Sequence, residues 1–327
     1  MKFAATFLSD PPPDLLISRA QQLEAAGFDY AYLNEAQTLF MDPWPVFARI
    51  AEATESISIG PCVTNPTLRD PVVTAALLAT LNEMSSGRMV CGIGRGDAAP
   101  RTLGRRPATV AELGEAIRVI RGLVTDGSAL IGSQQVTLRW NRGWPIEIWG
   151  AGYGPRALGT IGAHCDGFIV QAAHEDFLEL AKGFAGDTTG DTESARPLLA
   201  MVAAPALVGD MDRGCDKLRW FVPSVANHVA ELTGNYEGPL PTSMTDLLTG
   251  RSGYDYQTKG RMHNPGADYV TPEMTRAFTF VGPPEAHIAK IARFADLGVD
   301  VINLYLIHDE IDATIEAYGR HIIPAFR

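Results

Sequence analysis

Cysteine is scarce in these 327 residues. The four, Cys62, Cys91, Cys165 and Cys215, stand far apart and form no C-x-x-C pair, which argues against a zinc site or a disulfide framework. The expectation is a reduced, cytoplasmic protein. Positive charge is also short: 27 Lys and Arg face 38 Asp and Glu, for a net charge of -11. Nucleic acids and anionic membrane surfaces select basic faces, so neither is an expected partner. No apolar run is long enough to span a bilayer. The opening M-K-F-A-A-T-F-L-S-D lacks the apolar region and cleavage site of a signal peptide and reads as a strand. No short repeat, low-complexity tract, Walker G-K-[ST] end or dinucleotide fingerprint after the first strand is present. Neither a Schiff-base lysine nor a metal cluster stands at the strand ends, which argues against a lyase or aldolase.

What is present is a regular alternation. Apolar runs at Lys2–Leu8, Tyr30–Leu33, Ile57–Thr64, Met89–Gly92, Pro145–Trp149, Asp166–Val170, Leu198–Val208 and Asp300–Tyr305 read as strands. Continuous apolar strands are those of a parallel sheet buried on both faces. Helical periodicity follows each run, clearest over Thr109–Thr125 with Leu113, Ile117, Ile120 and Val124 on one face. Eight such units predict an α/β fold, the (β/α)8 TIM barrel, as a single domain over 1–327. An open doubly wound sheet with a cap is the second choice. Ser128–Trp144 reads as a small hairpin insertion. The larger insertion, about 210–278, falls between the seventh strand and its helix, where it forms a lid over the barrel mouth.

The organising stretch is I-S-I-G-P-C-V-T-N-P-T-L-R-D-P, Ile57 to Pro71. Its strand ends at Asn65-Pro66, and Asp70-Pro71 supplies an N-cap and a first helical residue. Cys62, Val63, Thr64 and Asn65 therefore arrive at a strand-to-helix mouth, where parallel α/β folds bind ligands. Cys62 is either a small buried hydrophobe or a backbone neighbour of a flat ligand, and no nearby histidine activates it. Asn34-Glu35 ends the second strand, where a carboxylate can orient a ring, accept a proton or pair with Arg95. Gly94-Arg95-Gly96-Asp97 follows the fourth strand. Gly150-Ala151-Gly152-Tyr153-Gly154-Pro155-Arg156 presents glycine amides at a helix start, a setting suited to phosphate. In the insertion, Tyr254, Tyr256, Lys259, Arg261 and His263 form a substrate-lid cluster, with His263 as a candidate general acid. His164 and His228 read as structural.

Taken together, G-P-C-V-T-N-P (60–66), L-N-E-M-S-S-G-R (81–88), G-I-G-R-G-D (92–97), G-A-G-Y-G-P (150–155), A-H-C-D-G (163–167) and F-V-G-P-P-E (280–285) resemble the bacterial-luciferase-like flavin and deazaflavin oxidoreductases. The resemblance is greatest to the branch using coenzyme F420, a deazaflavin, which includes methylenetetrahydromethanopterin reductase. It implies an F420-dependent oxidoreductase acting on a small-molecule substrate, usually as a homodimer. It also implies a non-prolyl cis peptide at Cys62-Val63 behind the cofactor ring. On this basis Asn34, Glu35, Cys62, Val63, Thr64 and Asn65 line the ring. Gly96 and Asp97 lie near the ring or the ribityl chain, and Gly152, Gly154 and Gly167 hold the phosphate. Glu35 and His263 are the candidate proton donors. Relatives often place Asp-His or Glu-His where this chain has Asn34-Glu35-Ala36. The alternative is an FMN-dependent monooxygenase fed by a separate reductase. A cofactor-binding protein without catalysis is a further rival.

Overall fold

Short runs of β-branched, aromatic and small apolar residues, punctuated by glycine and proline, set the strands of this chain. The structure, a computed structural model, describes residues 1–186, 198–251, 253–258, 260–262 and 264–327. The strands are β1 (Lys2–Phe7), β2 (Tyr30–Leu33), β3 (Ser58–Pro61), β4 (Val90–Gly94), β5 (Ser128–Ile131), β6 (Gln134–Thr137), β7 (Glu147–Ala151), β8 (Gly167–Val170), β9 (Leu199–Val208), β10 (Phe280–Gly282) and β11 (Val301–Tyr305). Eight of them run parallel in the order β3-β2-β1-β11-β9-β8-β7-β4. Parallel bridges Ile59–Met89 and Thr64–Ile93 join the two ends, so the sheet closes into the (β/α)8 barrel.

Two glycines let that seam close. A Cβ on Gly60 would fall 1.9 Å from the Val90 carbonyl oxygen, and one on Gly92 would fall 2.6 Å from that of Pro61. The barrel interior is filled by Tyr30, Tyr32, Cys62, Trp149, Ile169 and Met201 among others. The larger core lies between the barrel and its helices, as expected for strands buried on both faces.

The helices of the first half are α1 (Pro13–Ala25), α2 (Trp44–Ala53), α3 (Pro71–Met84), α4 (Ala98–Arg101), α5 (Val110–Arg121), α6 (Pro155–His164) and α7 (Glu175–Gly186). Asp70 caps α3 by accepting from the Val72 amide at 2.8 Å. Thr109 and Glu112 form a capping box on α5. The α5 helix ends in a π-turn over Gly122–Asp126 and does not continue as α-helix to Thr125. L-N-E-M-S-S-G-R serves the far end of the barrel. There Arg88 donates to the carbonyls of Ala51, Thr54, Ile57 and Ser85, and Asn82 Oδ1 accepts from the Met89 amide.

Helices α8 (Met211–Leu218), α9 (Val222–Thr233), α10 (Thr242–Asp246) and α11 (Pro272–Phe278) occupy the large insertion, followed by α12 (Pro284–Asp296) and α13 (Ile311–Ala317). β10 was not foreseen. It is three residues long, and it pairs in parallel with the outer end of β9, Phe280 opposite Ala206. The long β9 thus serves β8 and β11 within the barrel and β10 beyond it. β3 also stops at Pro61, short of the expected Thr64, and a cis Cys62-Val63 peptide follows it.

Candidate functional site

The carboxyl ends of the barrel strands open into one cavity of about 870 Å³. Its inner wall is the end of β3. Cys62 is buried there, and its Sγ accepts from Asn303 Nδ2 at 3.6 Å. Asn303 Oδ1 in turn accepts from Thr6 Oγ1 at 2.9 Å. Burial pushes the Cys62 thiol up to about 12, so the sulfur stays protonated and is a wall atom, not a nucleophile. A Cβ on Gly92 or Gly94 would come within 3.3 Å of a Val63 methyl, so glycine at both positions leaves Val63 its place. The Thr64 backbone is tied to Gly92 and Gly94, both at 2.9 Å. Its hydroxyl is buried and has no hydrogen-bond partner among the described residues. Asn65 Oδ1 accepts from the amides of Thr67 and Leu68 and so holds the turn that leads to α3.

Asn34 and Glu35 extend from β2 onto the same wall. The Glu35 side chain is 1% exposed. Its Oε1 accepts from Gln37 Nε2 at 2.6 Å, Trp44 Nε1 at 3.1 Å and Arg69 Nη2 at 3.3 Å. Its Oε2 is buried without a partner among the described residues. Arg69 also pairs with Asp42 at 2.8 Å and lies over the Trp44 ring. The expected Arg95 partner is therefore corrected to Arg69. Arg95 instead donates to the Ala108 carbonyl at 2.5 Å, because its own turn is closed onto the segment before α5.

The third side comes from β4 and β7. Gly96 has φ +86°, and a Cβ there would meet Pro100 at 3.0 Å, so a side chain would be both strained and crowded. Asp97 opens α4 and pairs with Arg101 at 3.7 Å. Arg101 reaches across the mouth to Glu231 at 2.6 Å and lies 5.0 Å over the Tyr256 ring. Gly154 stands at the N-cap of α6 with no side chain capping the helix, and Arg156 follows on the cavity wall. The Arg156 guanidinium has no ion pair among the described residues. Gly152 faces Ala157 and Ile161, where a Cβ would sit 3.1 Å from the Ala157 methyl.

Two further expectations change. Gly167 is not at the cavity. It begins β8 at the opposite end of the strand, where a Cβ would fall 2.3 Å from the Trp149 ring, so its glycine serves barrel packing. His228 is not merely structural. It lines the cavity and stacks on Tyr153 with centroids 4.4 Å apart. His263 and Lys259 lie outside the described residues. Of the other insertion residues, Tyr254 bonds Ser224 at 2.9 Å, Tyr256 bonds Glu231 at 3.2 Å, and Arg261 pairs with Asp10 at 2.6 Å.

Sequence reasoning missed the wall that α9 contributes. Ser224, His228, Glu231 and Asn235 line the cavity, with Trp220 and Phe221 just before them. The signal was there: polar residues at 224, 228 and 231 fall at helical spacing along α9. Gln171, which accepts from Tyr153 at 3.0 Å, and Tyr305 complete the lining.

The chain as a whole has relatives among known proteins. The family model described as luciferase-like monooxygenase matches residues 2–301. The chain belongs to that family. It is 28% identical to the 5,10-methylenetetrahydromethanopterin reductase of Archaeoglobus fulgidus, with 100% of both chains covered. It is also 28% identical to a phthiodiolone/phenolphthiodiolone dimycocerosates ketoreductase of a Mycobacterium species, over 78% of this chain and 72% of that protein. Among solved structures it resembles the coenzyme F420-dependent tetrahydromethanopterin reductase of Methanopyrus kandleri, with TM-score 0.77 and 21% identity over 100% and 99% of the chains. Among the described residues no helix is long and apolar enough to cross a membrane, and no cluster of His, Cys, Asp and Glu could hold a metal ion.

Proposed function

We propose that the chain is an oxidoreductase that binds coenzyme F420 and moves a hydride between the deazaflavin and a small organic substrate. The observation that carries this reading is a single cavity furnished for both ends of such a cofactor. One end has the cis Cys62-Val63 peptide beside the buried Thr64 hydroxyl, which has no partner among the described residues. The other has the uncapped start of α6 beside Arg156, suited to a phosphate. Asn34, Cys62, Val63, Thr64 and Asn65 would hold the ring, Gly96 and Asp97 the ring edge or ribityl chain, and Gly152, Gly154 and Arg156 the phosphate. The methylenetetrahydromethanopterin reductases at 25–28% identity, together with the Methanopyrus kandleri reductase structure described as coenzyme F420-dependent, support deazaflavin over FMN.

When bound, F420 supplies the hydride chemistry. The chain's own residues position and dry the site. Three donors fix Glu35 Oε1, while Oε2 is buried with no partner among the described residues. Glu35 is the candidate to handle the substrate proton at that atom, with His263 as the alternative. Trp220 and Phe221 cover the cavity from the insertion side, which we take to be the lid.

The test is turnover with reduced F420 and, separately, reduced FMN, each with and without oxygen, against a panel of carbonyl and imine acceptors. The reading predicts that oxidised deazaflavin returns in step with acceptor loss without oxygen. Oxygen-dependent turnover with FMN alone would replace it with the monooxygenase.

A further inference from the structure

Asn303 is the odd residue of the barrel interior. It stands on β11 between Ala4 of β1 and Ala203 of β9, and it is 0% exposed. A fully buried amide needs hydrogen-bond partners that a leucine of the same shape would not. Asn303 finds them in the cavity wall and the barrel core. Its Oδ1 accepts from Thr6 Oγ1 at 2.9 Å. Its Nδ2 donates to Cys62 Sγ and to Met201 Sδ, both at 3.6 Å. Thr6 and Cys62 also bond each other, and both line the cavity. Both are buried.

These contacts close a cycle of three hydrogen bonds, and counting hydrogens gives the cycle a direction. A hydroxyl has one hydrogen, and that of Thr6 is already donated to Asn303. In its bond with Cys62, Thr6 is therefore the acceptor and the thiol the donor. The sulfur in turn receives the Asn303 amide. The thiol hydrogen thus lies on the barrel side of the wall, and the Cys62 side chain offers the cavity no donor.

We propose that Asn303 is a positioning residue for the cofactor: with Thr6 it turns the Cys62 thiol hydrogen inward, so that the wall meets the flat ring as a donor-free sulfur surface. The proposal rests on the deazaflavin reading, which places the ring against Cys62. Without the cycle, the thiol hydrogen is free to turn to the cavity and point at the ring's π electrons or heteroatoms. A donor at that place polarises the ring, so the direction of the thiol is readable in the absorption of the bound cofactor. Asn303 itself touches no ligand in this account and acts only through Thr6 and Cys62.

The experiment uses the full chain. Infrared spectroscopy follows the S–H stretch, and the Cys62 band is identified by its loss in Cys62→Ala. Without ligand, the wild-type band should stand at the lower frequency of a donating thiol. It should rise in Thr6→Val, which keeps the shape and removes the acceptor, and return in Thr6→Ser. Oxidised F420 is then titrated into each protein. The absorption maximum of bound F420 should shift in Thr6→Val and in Asn303→Leu, and Thr6→Ser should restore the wild-type position. Thermal unfolding reports the fold of each variant, and the Thr6 pair keeps the test decisive if Asn303→Leu does not fold. A wild-type band at the frequency of a free thiol would overturn the positioning role. So would bound F420 with the same absorption in wild type and Thr6→Val. Failure of the wild type to bind F420 would instead overturn the cofactor reading, while the ligand-free band still reports the direction of the thiol, so the two failures are told apart.

Discussion

Gly154 shows how much a single position decides. Its φ of -94° is open to any residue, and a Cβ there makes only ordinary contact with Leu232 at 3.7 Å. No steric or backbone demand explains glycine, so what remains is its place at the mouth of α6. Gly154→Ala should therefore fold and keep its F420 affinity. Gly154→Asp should also fold but lose at least about tenfold in affinity, because a carboxylate would meet the cofactor phosphate at a helix end suited to one anion. Thermal unfolding checks the fold, and fluorescence titration reads the affinity. Retained affinity in Gly154→Asp would remove the phosphate from this loop. Gly167 is the opposite case. Both glycines stand in motifs of the family resemblance, yet only the coordinates reveal that Gly167 faces Trp149. Glu35 was legible as a carboxylate at a strand end. Its real partners were not, because Trp44 and Arg69 are brought to it by the start of α2 and the approach to α3.

At the scale of elements, α12 is secured to the barrel through a buried histidine. His287 bonds the Tyr318 hydroxyl at 2.8 Å and the Leu207 carbonyl at 3.3 Å. Burial pushes its imidazole down from 6.5 to about 4. It is neutral in the fold, whereas the unfolded chain binds a proton below about pH 6.5. Stability contributed by this group is thus intact above pH 6.5 and falls as the pH drops toward 4, by up to ~3 kcal/mol. His287→Gln keeps a polar side chain but cannot titrate. Urea unfolding between pH 7 and pH 4.5 should show a flatter profile for the variant than for the wild type; parallel profiles would mean that other groups set the acid limit. The eight barrel strands were readable because each is an apolar run buried on both faces. Three-residue β10 was not, since Phe280–Gly282 is too short to carry a period and gains its pairing from the overlong β9. The inward face of α9 was hidden for a related reason: periodicity reveals a stripe but not which neighbour it meets.

The whole molecule joins a closed barrel to an insertion whose residues form part of the cavity wall at its mouth. The barrel was visible as alternation along the chain, and the cis Cys62-Val63 peptide was expected from the family motif alone. The cavity required long-range contacts that no local pattern encodes, such as Arg101 with Glu231 and Ser224 with Tyr254. The proposed cofactor reading rests on two features of that cavity, the wall past the end of β3 at Cys62–Asn65 and the start of α6 beside Arg156. The measurement that tests this most directly is equilibrium fluorescence titration of the purified chain with oxidised F420 and, separately, with FMN. The account predicts saturable F420 binding at least about tenfold tighter than FMN, a margin of about 1.4 kcal/mol. FMN binding as tight or tighter, or no binding of either by folded protein free of copurified cofactor, would contradict it.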